Sequence, residues 1–344
     1  MRWQSVPQKA RLMPDPLADS YEFCRKLTRR TATNFYYSFT GLPRDRFKAM
    51  CALYAYMRIC DDIGDDESLP LAHRGPALQW WREMVATHFA ADCASPSTPL
   101  PDAPFVHESL TNGAMVLPAM RDSMSRFGIP VECLLDVITG VGMDLDADNH
   151  PASTDGADVV CRYQTFEELS EYCYHVAGVV GRCCIHIWGF TDPRALTLAI
   201  DCGLAFQLTN ILRDIAEDAD NGRVYLPAED LRRFDYPVEA IQGRVVDDRF
   251  RALMKFEADR AAEYYGRSRE LFQYLEPTGQ PILQAMMRIY EGLLTEIRRS
   301  NYDVYSRRIS LPTWRKLLIA TGAAVRHRLN PRAKEATPTT PSGP

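Results

Sequence analysis

The sequence has no cysteine or histidine arrangement that is typical of a metal or redox site. Its 10 cysteines include no C-x-x-C pair and none at zinc-finger spacing, and its 7 histidines form no H-E-x-x-H motif. These absences exclude zinc modules and thioredoxin-like chemistry. Most of the cysteines lie in apolar segments, which predicts small buried side chains in a reducing compartment.

Long apolar runs and a basic charge balance are also missing. No uninterrupted apolar stretch approaches the roughly 18–20 residues of a membrane span, and the opening "MRWQSVPQKARLMPDP" does not look like a signal peptide. We therefore expect a cytoplasmic protein, with peripheral membrane association as an open alternative. The net charge of −5 predicts no nucleic-acid partner. An anionic ligand would need local arginines or a metal ion.

Helical periodicity is present over almost the whole chain of 344 residues. No run of alternating polar and apolar residues predicts a strand. The sequence predicts an all-α fold with one domain over residues 17–328, a flexible N-terminus over 1–16 and a disordered tail over 329–344. Helices are predicted over 17–34, 44–66, 73–92, 105–127, 130–144, 165–189, 192–220, 228–234, 247–275, 279–305 and 311–328.

The segment "RICDDIGDDES" places clustered aspartates directly after an apolar helix. Asp61 and Asp65 lie four residues apart and therefore share one helix face, and Asp62 and Asp66 form a second such pair. Arg58 lies one turn before them. A single D-x-x-x-D pair on a helix is typical of a solvated face, so this segment alone does not indicate a site.

A second acidic segment, "FQLTNILRDIAEDADNGRVYLP", repeats the feature far downstream. Asn210, Asp214 and Asp218 lie four residues apart and form a stripe of oxygen-bearing side chains, which Gln207 extends. Arginines again lie in or beside the cluster, at Arg213 and Arg223. Two such clusters, each at the end of an apolar helix, favour a functional site over two solvated faces.

Carboxylates at this spacing repel one another, and their charge is costly beside apolar surface. A hard divalent cation resolves the conflict, because Mg²⁺ prefers oxygen ligands and is typically held by one or two carboxylates together with substrate phosphates. Arginine suits phosphate oxygens because its planar fork donates two hydrogen bonds at once. The residues therefore predict a magnesium–diphosphate site, with Mn²⁺ as the alternative ion.

Both acidic segments resemble the two aspartate-rich motifs of the squalene/phytoene synthases, which join prenyl diphosphates head to head. The stretches "NFYYSFTGLPRDRFKAM", "EYCYHVAGVVG" and "SNYDVYSRRISLPTWRK" are similar to the same family, and the resemblance covers about residues 17–328. It implies the helical isoprenoid synthase fold around one central cavity. It also implies metal binding by both acidic motifs, at Asp61, Asp62, Asp65, Asn210, Asp214 and Asp218.

The resemblance also implies roles for further residues. Catalytic roles carry over onto Asp61, Asp65, Asp214, Asp218 and Tyr172; the family's tyrosine at the last position is discussed as assisting proton transfer or steadying a cation. Contacts to substrate are implied for Arg58, Tyr54, Gln207, Arg213, Arg223, Thr33, Asn34 and Tyr302. Many members have serines just before the F-Y-Y-x-F element, whereas this chain has "TATNF" there. Aromatic and aliphatic candidates for a dry cavity wall are Phe35, Tyr36, Tyr37, Tyr54, Val176, Val179, Leu204, Phe206 and Tyr290.

The expected reaction is the Mg²⁺-dependent condensation of two farnesyl diphosphates to presqualene diphosphate, with squalene as a further product. Phytoene synthesis from two geranylgeranyl diphosphates is the alternative within the family, and a head-to-tail prenyltransferase or terpene cyclase shares the fold. A non-enzymatic assembly factor is the remaining alternative, although both acidic clusters are complete. No G-x-G-x-x-G motif is present, so use of NADPH stays open, as does the oligomeric state.

Overall fold

The structure is a computed structural model that describes residues 15–31, 36, 39–65, 69–89, 108–149 and 160–311. These residues are predominantly helical, with two strands of two residues each, which confirms the predicted fold class. The predicted flexible N-terminus, disordered tail and last helix (311–328) lie outside them, apart from their edges. The helices of the first half are α1 (Pro16–Thr31), α2 (Arg44–Asp65), α3 (Leu71–His88), α4 (Glu108–Phe127) and α5 (Val131–Asn149).

A strand and a helix that changes its pitch open the second half. The strand β1 (Val160–Cys161) precedes α6 (Phe166–Cys173), a π-helical turn (Tyr174–Gly178) and α7 (Val179–Trp188). The elements that follow are α8 (Arg194–Asp220), β2 (Arg223–Val224), α9 (Ala228–Arg233), α10 (Val238–Gln242), α11 (Asp248–Ser268), α12 (Leu271–Tyr274) and α13 (Gln280–Arg299).

Several predicted boundaries are wrong for local reasons. The helix predicted over 130–144 continues to Asn149, and the one predicted over 247–275 ends at Ser268, where the next turns close with i→i+3 bonds such as Glu270 N to Arg267 O. The helix predicted to reach residue 305 ends at Arg299, because Asn301 and Tyr302 have positive φ.

The two strands and α10 were not predicted. The strands form a parallel pair, with Val160 opposite Arg223 and Cys161 opposite Val224. A strand of two residues has no alternation to detect, so the period of the sequence could not reveal it. The pair fastens the segment before α6 to the chain that follows the second acidic cluster.

Helix α8 lies at the centre of the molecule and packs against α7, α11 and α13. It is the one helix of the described residues that is long and apolar enough to cross a membrane, but 56% of its apolar window is buried inside the protein. Close approach to the preceding helix depends on glycine, because a Cβ atom at Gly203 would overlap the carbonyl oxygen of Ala177, and one at Gly181 that of Ala199.

Candidate active site

An apolar cavity of about 240 Å³ lies between α2, the π-turn and α7, α8 and α13. Its walls carry the predicted residues Tyr54, Val176, Phe206 and Tyr290. Phe206 and Tyr290 stack with their ring centres 4.4 Å apart. The cavity therefore has the aromatic, water-poor lining that the sequence predicts.

Three other wall candidates are placed elsewhere. Val179 and Leu204 belong to the buried core, and Tyr36 packs edge-on against Phe47 at 5.5 Å. The last two candidates, Phe35 and Tyr37, lie outside the described residues. The helical period alone placed these residues on an apolar face, but it could not tell a face that borders a cavity from one that meets another helix.

The polar end of the cavity lies at the two acidic helix ends. Tyr54 of α2 lies one turn before Arg58, and Gln207 and Asn210 of α8 begin the second acidic stripe; all but Arg58 line the cavity. Asn210 Nδ2 donates to Gln207 Oε1 at 3.4 Å, while Asn210 Oδ1 is buried with no hydrogen-bond partner among the described residues.

The first acidic cluster ends α2. Arg58 pairs with Asp62 one turn later. Asp61 is accessible to solvent, yet the surrounding protein and the charge of Asp65 raise its pKa to about 6, against the opposing effect of Arg58. A carboxyl group whose ionised form is disfavoured in this way would gain from a nearby cation.

The second acidic cluster ends α8 and carries two arginines. Arg213 Nε donates to Asp214 Oδ1 at 2.8 Å, and Arg308 Nη2 reaches the same oxygen at 3.2 Å. Burial and the charge of Asp214 raise the pKa of Asp218 to about 7, although Arg223 opposes this.

Asp144 of α5 connects the two clusters electrostatically. Its charge adds to the factors that raise the pKa of Asp61 and also to those that raise the pKa of Asp218. Three helices thus bring carboxylates towards one region.

Asp144 also anchors a stack of tyrosines. Its Oδ1 accepts from Arg162 Nη1 at 2.9 Å and from Tyr225 OH at 3.0 Å, and its Oδ2 accepts from Tyr172 OH at 3.1 Å. Tyr172 stacks on Tyr225 at 5.4 Å. Burial raises the pKa of Asp144, with Arg162 and the two phenols opposing. The β1–β2 pair delivers Arg162 and Tyr225 to this point.

The donor set suits Mg²⁺ in its chemistry. Asn210 contributes a buried oxygen without a hydrogen-bond partner among the described residues, and Asp61 and Asp218 contribute carboxylates whose ionised form is disfavoured; these are oxygen donors of the kind that Mg²⁺ prefers. No three His, Cys, Asp or Glu side chains of the described chain converge closely enough to hold an ion alone. Mg²⁺ typically takes one or two protein carboxylates and completes its shell with phosphate and water.

The remaining predicted residues have different placements. Thr33 and Asn34 lie outside the described residues. Tyr172 is buried in the Asp144 network, and neither it nor Tyr302 is on the cavity wall as the structure describes it. Sequence reasoning missed Asp144 and Arg308. Arg308 stands in the stretch "SNYDVYSRRIS" that carries the family resemblance, which was the available signal. Asp144 lies four residues before Asp148 in "GMDLDADN", a spacing that also places two carboxylates on one helix face, but the prediction ended that helix at residue 144.

Comparison with known proteins agrees with this geometry. Residues 28–315 match the squalene/phytoene synthase family profile. The chain is 33% identical over 332 residues to a phytoene synthase of Arthrospira platensis, covering 92% of this chain and 96% of that protein. It is 34% identical to a 15-cis-phytoene synthase of Synechocystis, and the match covers 87% of this chain and 83% of that protein. Among solved structures, squalene synthase HpnC from Alicyclobacillus acidocaldarius has 26% identity and a TM-score of 0.69, over 85% of this chain and 97% of that one.

Proposed function

Because the chain belongs to the squalene/phytoene synthase family, a family of prenyltransferases, we propose that it joins two molecules of geranylgeranyl diphosphate head to head to form phytoene. The observation that carries the proposal is the position of two acidic helix ends at the polar end of one apolar cavity. A diphosphate would lie at the acidic end and its prenyl chain in the cavity.

The choice of substrate rests on the relatives. The sequence analysis favoured farnesyl diphosphate, with geranylgeranyl diphosphate as the alternative. The two relatives above that match about nine-tenths of this chain are both named phytoene synthases, which supports the longer substrate. Farnesyl diphosphate remains the second candidate, since the solved structure at 26% identity is a squalene synthase.

Arginines at the acidic ends would bind the diphosphate. Arg213 and Arg308 converge on Asp214, and Arg58 lies beside Asp62, so phosphate oxygens that approach either cluster meet guanidinium groups. Such charge-assisted hydrogen bonds are among the strongest that a protein makes. They stabilise the negative charge that grows on a departing diphosphate.

Magnesium, with Mn²⁺ as the alternative, would be held by oxygens of the two clusters: Asp61, Asp62, Asp65, Asn210, Asp214 and Asp218. When bound, the ion supplies Lewis-acid stabilisation of the leaving group. The arginines and the metal ligands therefore assist the same bond cleavage.

Departure of diphosphate leaves an allylic cation that water would quench. The apolar wall excludes water, and the faces of Tyr54, Phe206 and Tyr290 attract the cation by about 0.5–2 kcal/mol each. The double bond of the second substrate attacks the cation, and loss of a proton closes a cyclopropane ring. Ionisation of the remaining diphosphate and rearrangement then give a second carbocation, and loss of a proton from it gives phytoene.

Tyr172 contributes through its fixed orientation. Its hydroxyl donates to Asp144 Oδ2 behind the cavity wall, so Tyr172 would act on the reaction by holding that carboxylate in place rather than by touching the substrate. Tyr172→Phe should lower kcat without raising the Kd of a diphosphate analogue, because the role assigned here is in the reaction. Calorimetric binding beside turnover measurements checks this, and a collapse of binding would make the role structural.

The test of function is product identification. The purified protein is incubated with Mg²⁺ and geranylgeranyl or farnesyl diphosphate, each with and without NADPH, and hydrocarbons are identified by mass spectrometry. Phytoene from geranylgeranyl diphosphate is the expected product. Squalene or presqualene diphosphate as the main product would favour the second candidate. An assembly factor would give no product and no Mg²⁺-dependent stabilisation by a diphosphate analogue.

A further inference from the structure

The cavity has an open polar end and a closed apolar end. At the acidic end its lining residues are partly exposed: Tyr54, Gln207, Asn210 and Tyr290. At the other end Trp188, Leu271 and Leu283 are each at most 3% exposed. Burial and polarity therefore change together along the cavity.

The helices of the wall give the same direction. Along α8 the lining runs from Asn210 to Ala199, a length of about 16 Å at roughly 1.5 Å per residue. Along α13 it runs from Tyr290, which lies near Arg213, back to Leu283. On α2, Arg46 lies at the opposite end of the helix from the acidic cluster and contacts the backbone of Trp188. Trp188 thus lies at the end of the cavity that is farthest from the acidic clusters.

The backbone behind Trp188 is firmly held. The Arg46 guanidinium donates to the Trp188 carbonyl, to Thr278 Oγ1 and to Glu276 Oε2, the last at 2.6 Å. Gly279 packs so closely that a Cβ atom there would overlap the Cβ atom of Trp188. A side chain that is fixed in this way cannot easily move aside for a longer ligand.

We infer that Trp188 is the floor of the prenyl pocket and sets the longest chain that the enzyme accepts. The inference rests on the proposed function, since it assumes that the cavity holds a prenyl chain. Its chemistry is steric: the indole occupies the space that the terminal isoprene unit of the next longer substrate would need. Replacing Trp188 with a smaller residue should deepen the pocket. Placing a larger residue near Trp188 should shorten the pocket.

Substitutions of two kinds test the floor. Trp188→Ala should raise the ratio of kcat/KM for geranylfarnesyl over geranylgeranyl diphosphate by about tenfold or more. Trp188→Phe should give a smaller change in the same direction; it removes no hydrogen bond, because the indole N–H has no partner in the described chain. Cys184→Phe, on the wall four residues earlier, should shift preference towards farnesyl diphosphate. Trp80→Ala, a partly buried tryptophan outside the cavity, is the matched control and should leave the ratio unchanged.

The outcomes separate this inference from the proposed function. Folding is verified by circular dichroism, and binding of unreactive thiolodiphosphates of the three chain lengths is measured alongside turnover. If the wild type uses farnesyl diphosphate instead, the proposed substrate is wrong, but the same shift by one isoprene unit is expected. If folded Trp188→Phe and Cys184→Phe both retain the wild-type chain-length profile in binding and turnover, the floor assignment is wrong.

Discussion

At the scale of single residues, the proposed site contains carboxylates whose negative charge is poorly balanced by the surrounding protein. Asp218 has a raised pKa at the end of α8, and Asp61 has one at the end of α2. Neutralising either should therefore stabilise the metal-free protein while removing a metal ligand. Stability and activity are expected to move in opposite directions, which is a signature of a functional site.

Asp218→Asn should raise the free energy of unfolding by about 1–3 kcal/mol at pH 8 in EDTA and abolish turnover. The range is set below the full pKa shift because Asp218 is partly exposed and solvent screens its charge. Urea denaturation and product assays measure the two effects. Asp220→Asn is the control, because Asp220 is exposed and pairs with Arg244; it should change the free energy of unfolding and the turnover only slightly. A destabilised Asp218→Asn variant would contradict the assignment.

Asp144 is expected to combine a structural role with a positioning role. Asp144→Asn relieves the burial of a charge, but it also removes the carboxylate to which Arg162, Tyr172 and Tyr225 donate. Because the side chain of Arg162 is only 6% exposed, loss of its ion pair should dominate and cost about 1–3 kcal/mol of stability. In the double variant Asp144→Asn/Arg162→Met, much of the stability should return, because the buried guanidinium that lost its carboxylate partner is also removed. Turnover should stay low in both variants, since Tyr172 has lost its carboxylate partner. Recovery of turnover together with stability would make Asp144 purely structural.

The difference between predicted and missed site residues has a physical basis. Asp61, Asp214 and Asp218 could be proposed from the sequence because helix geometry fixes which residues share a face, and that information is local. Asp144 works through partners that arrive from other elements, including Tyr225, which is 81 positions away. Contacts over such separations are determined by the fold and leave no periodic signal in the sequence.

At the scale of elements, the contact between α7 and α8 sets the shape of the cavity. Gly181 and Gly203 both line the cavity and bring backbone against backbone. The "GVVG" stretch thus serves close helix packing, and its second glycine also borders the cavity. The π-turn just before α7 adds residues Val176 and Ala177 to the same wall.

Gly203→Ala should lower the free energy of unfolding by about 1–3 kcal/mol, because the added methyl group overlaps the Ala177 carbonyl and the helices must separate. Gly266→Ala is the matched control in α11, where the added carbon meets nothing within 4 Å. Since alanine favours helix, the control should be more stable by about 0.5–1 kcal/mol. Thermal denaturation compares them, and equal effects would contradict the packing argument.

One arginine, which donates to two buried carboxyl groups, connects helices α9 and α11. Arg260 Nη1 donates to Asp230 Oδ2 at 2.8 Å and to Glu257 Oε2 at 2.7 Å. Burial raises the pKa of Glu257, and the Asp230 charge adds to this while Arg260 opposes it. Between the ordinary glutamate pKa and the raised pKa, Glu257 is therefore protonated in the folded protein and ionised in the unfolded chain.

The free energy of unfolding should consequently fall as pH rises from about 5 through the raised pKa of Glu257, by up to about 1.4 kcal/mol per pH unit. Glu257→Gln should remove this part of the pH dependence, because the amide cannot ionise. Urea denaturation at several pH values measures it. Glu263→Gln, exposed on the same helix, should keep the wild-type profile. An unchanged profile in Glu257→Gln would show that Glu257 does not keep a proton in the folded protein.

Element boundaries were predictable where the sequence carries its own signal. Asp247 accepts from the backbone N–H of Phe250 at 2.9 Å and starts α11 within one residue of the prediction. The C-terminal ends were less predictable, because α13 stops at a left-handed pair, Asn301 and Tyr302, with no glycine to mark it. The π-turn has no recognised sequence pattern.

At the scale of the whole molecule, the central claim is that two acidic helix ends, 153 residues apart in the chain between Asp61 and Asp214, bind one diphosphate through shared Mg²⁺. Tyr54 lies two turns before Asp61, Asn210 lies one turn before Asp214, and both line one cavity, while the charge of Asp144 contributes to the raised pKa of Asp61 and of Asp218. Groups that bind one ligand together should be energetically coupled, whereas groups at separate sites should act independently.

The direct measurement is calorimetric binding of geranylgeranyl thiolodiphosphate with Mg²⁺ to the wild type, Asp61→Asn, Asp214→Asn and the double variant. We predict that the two acidic clusters together bind one ligand molecule. Each single variant should lose most of the Mg²⁺-dependent affinity, and the double variant should lose little more. Wild-type affinity in either single variant, or losses that simply add, would contradict the account.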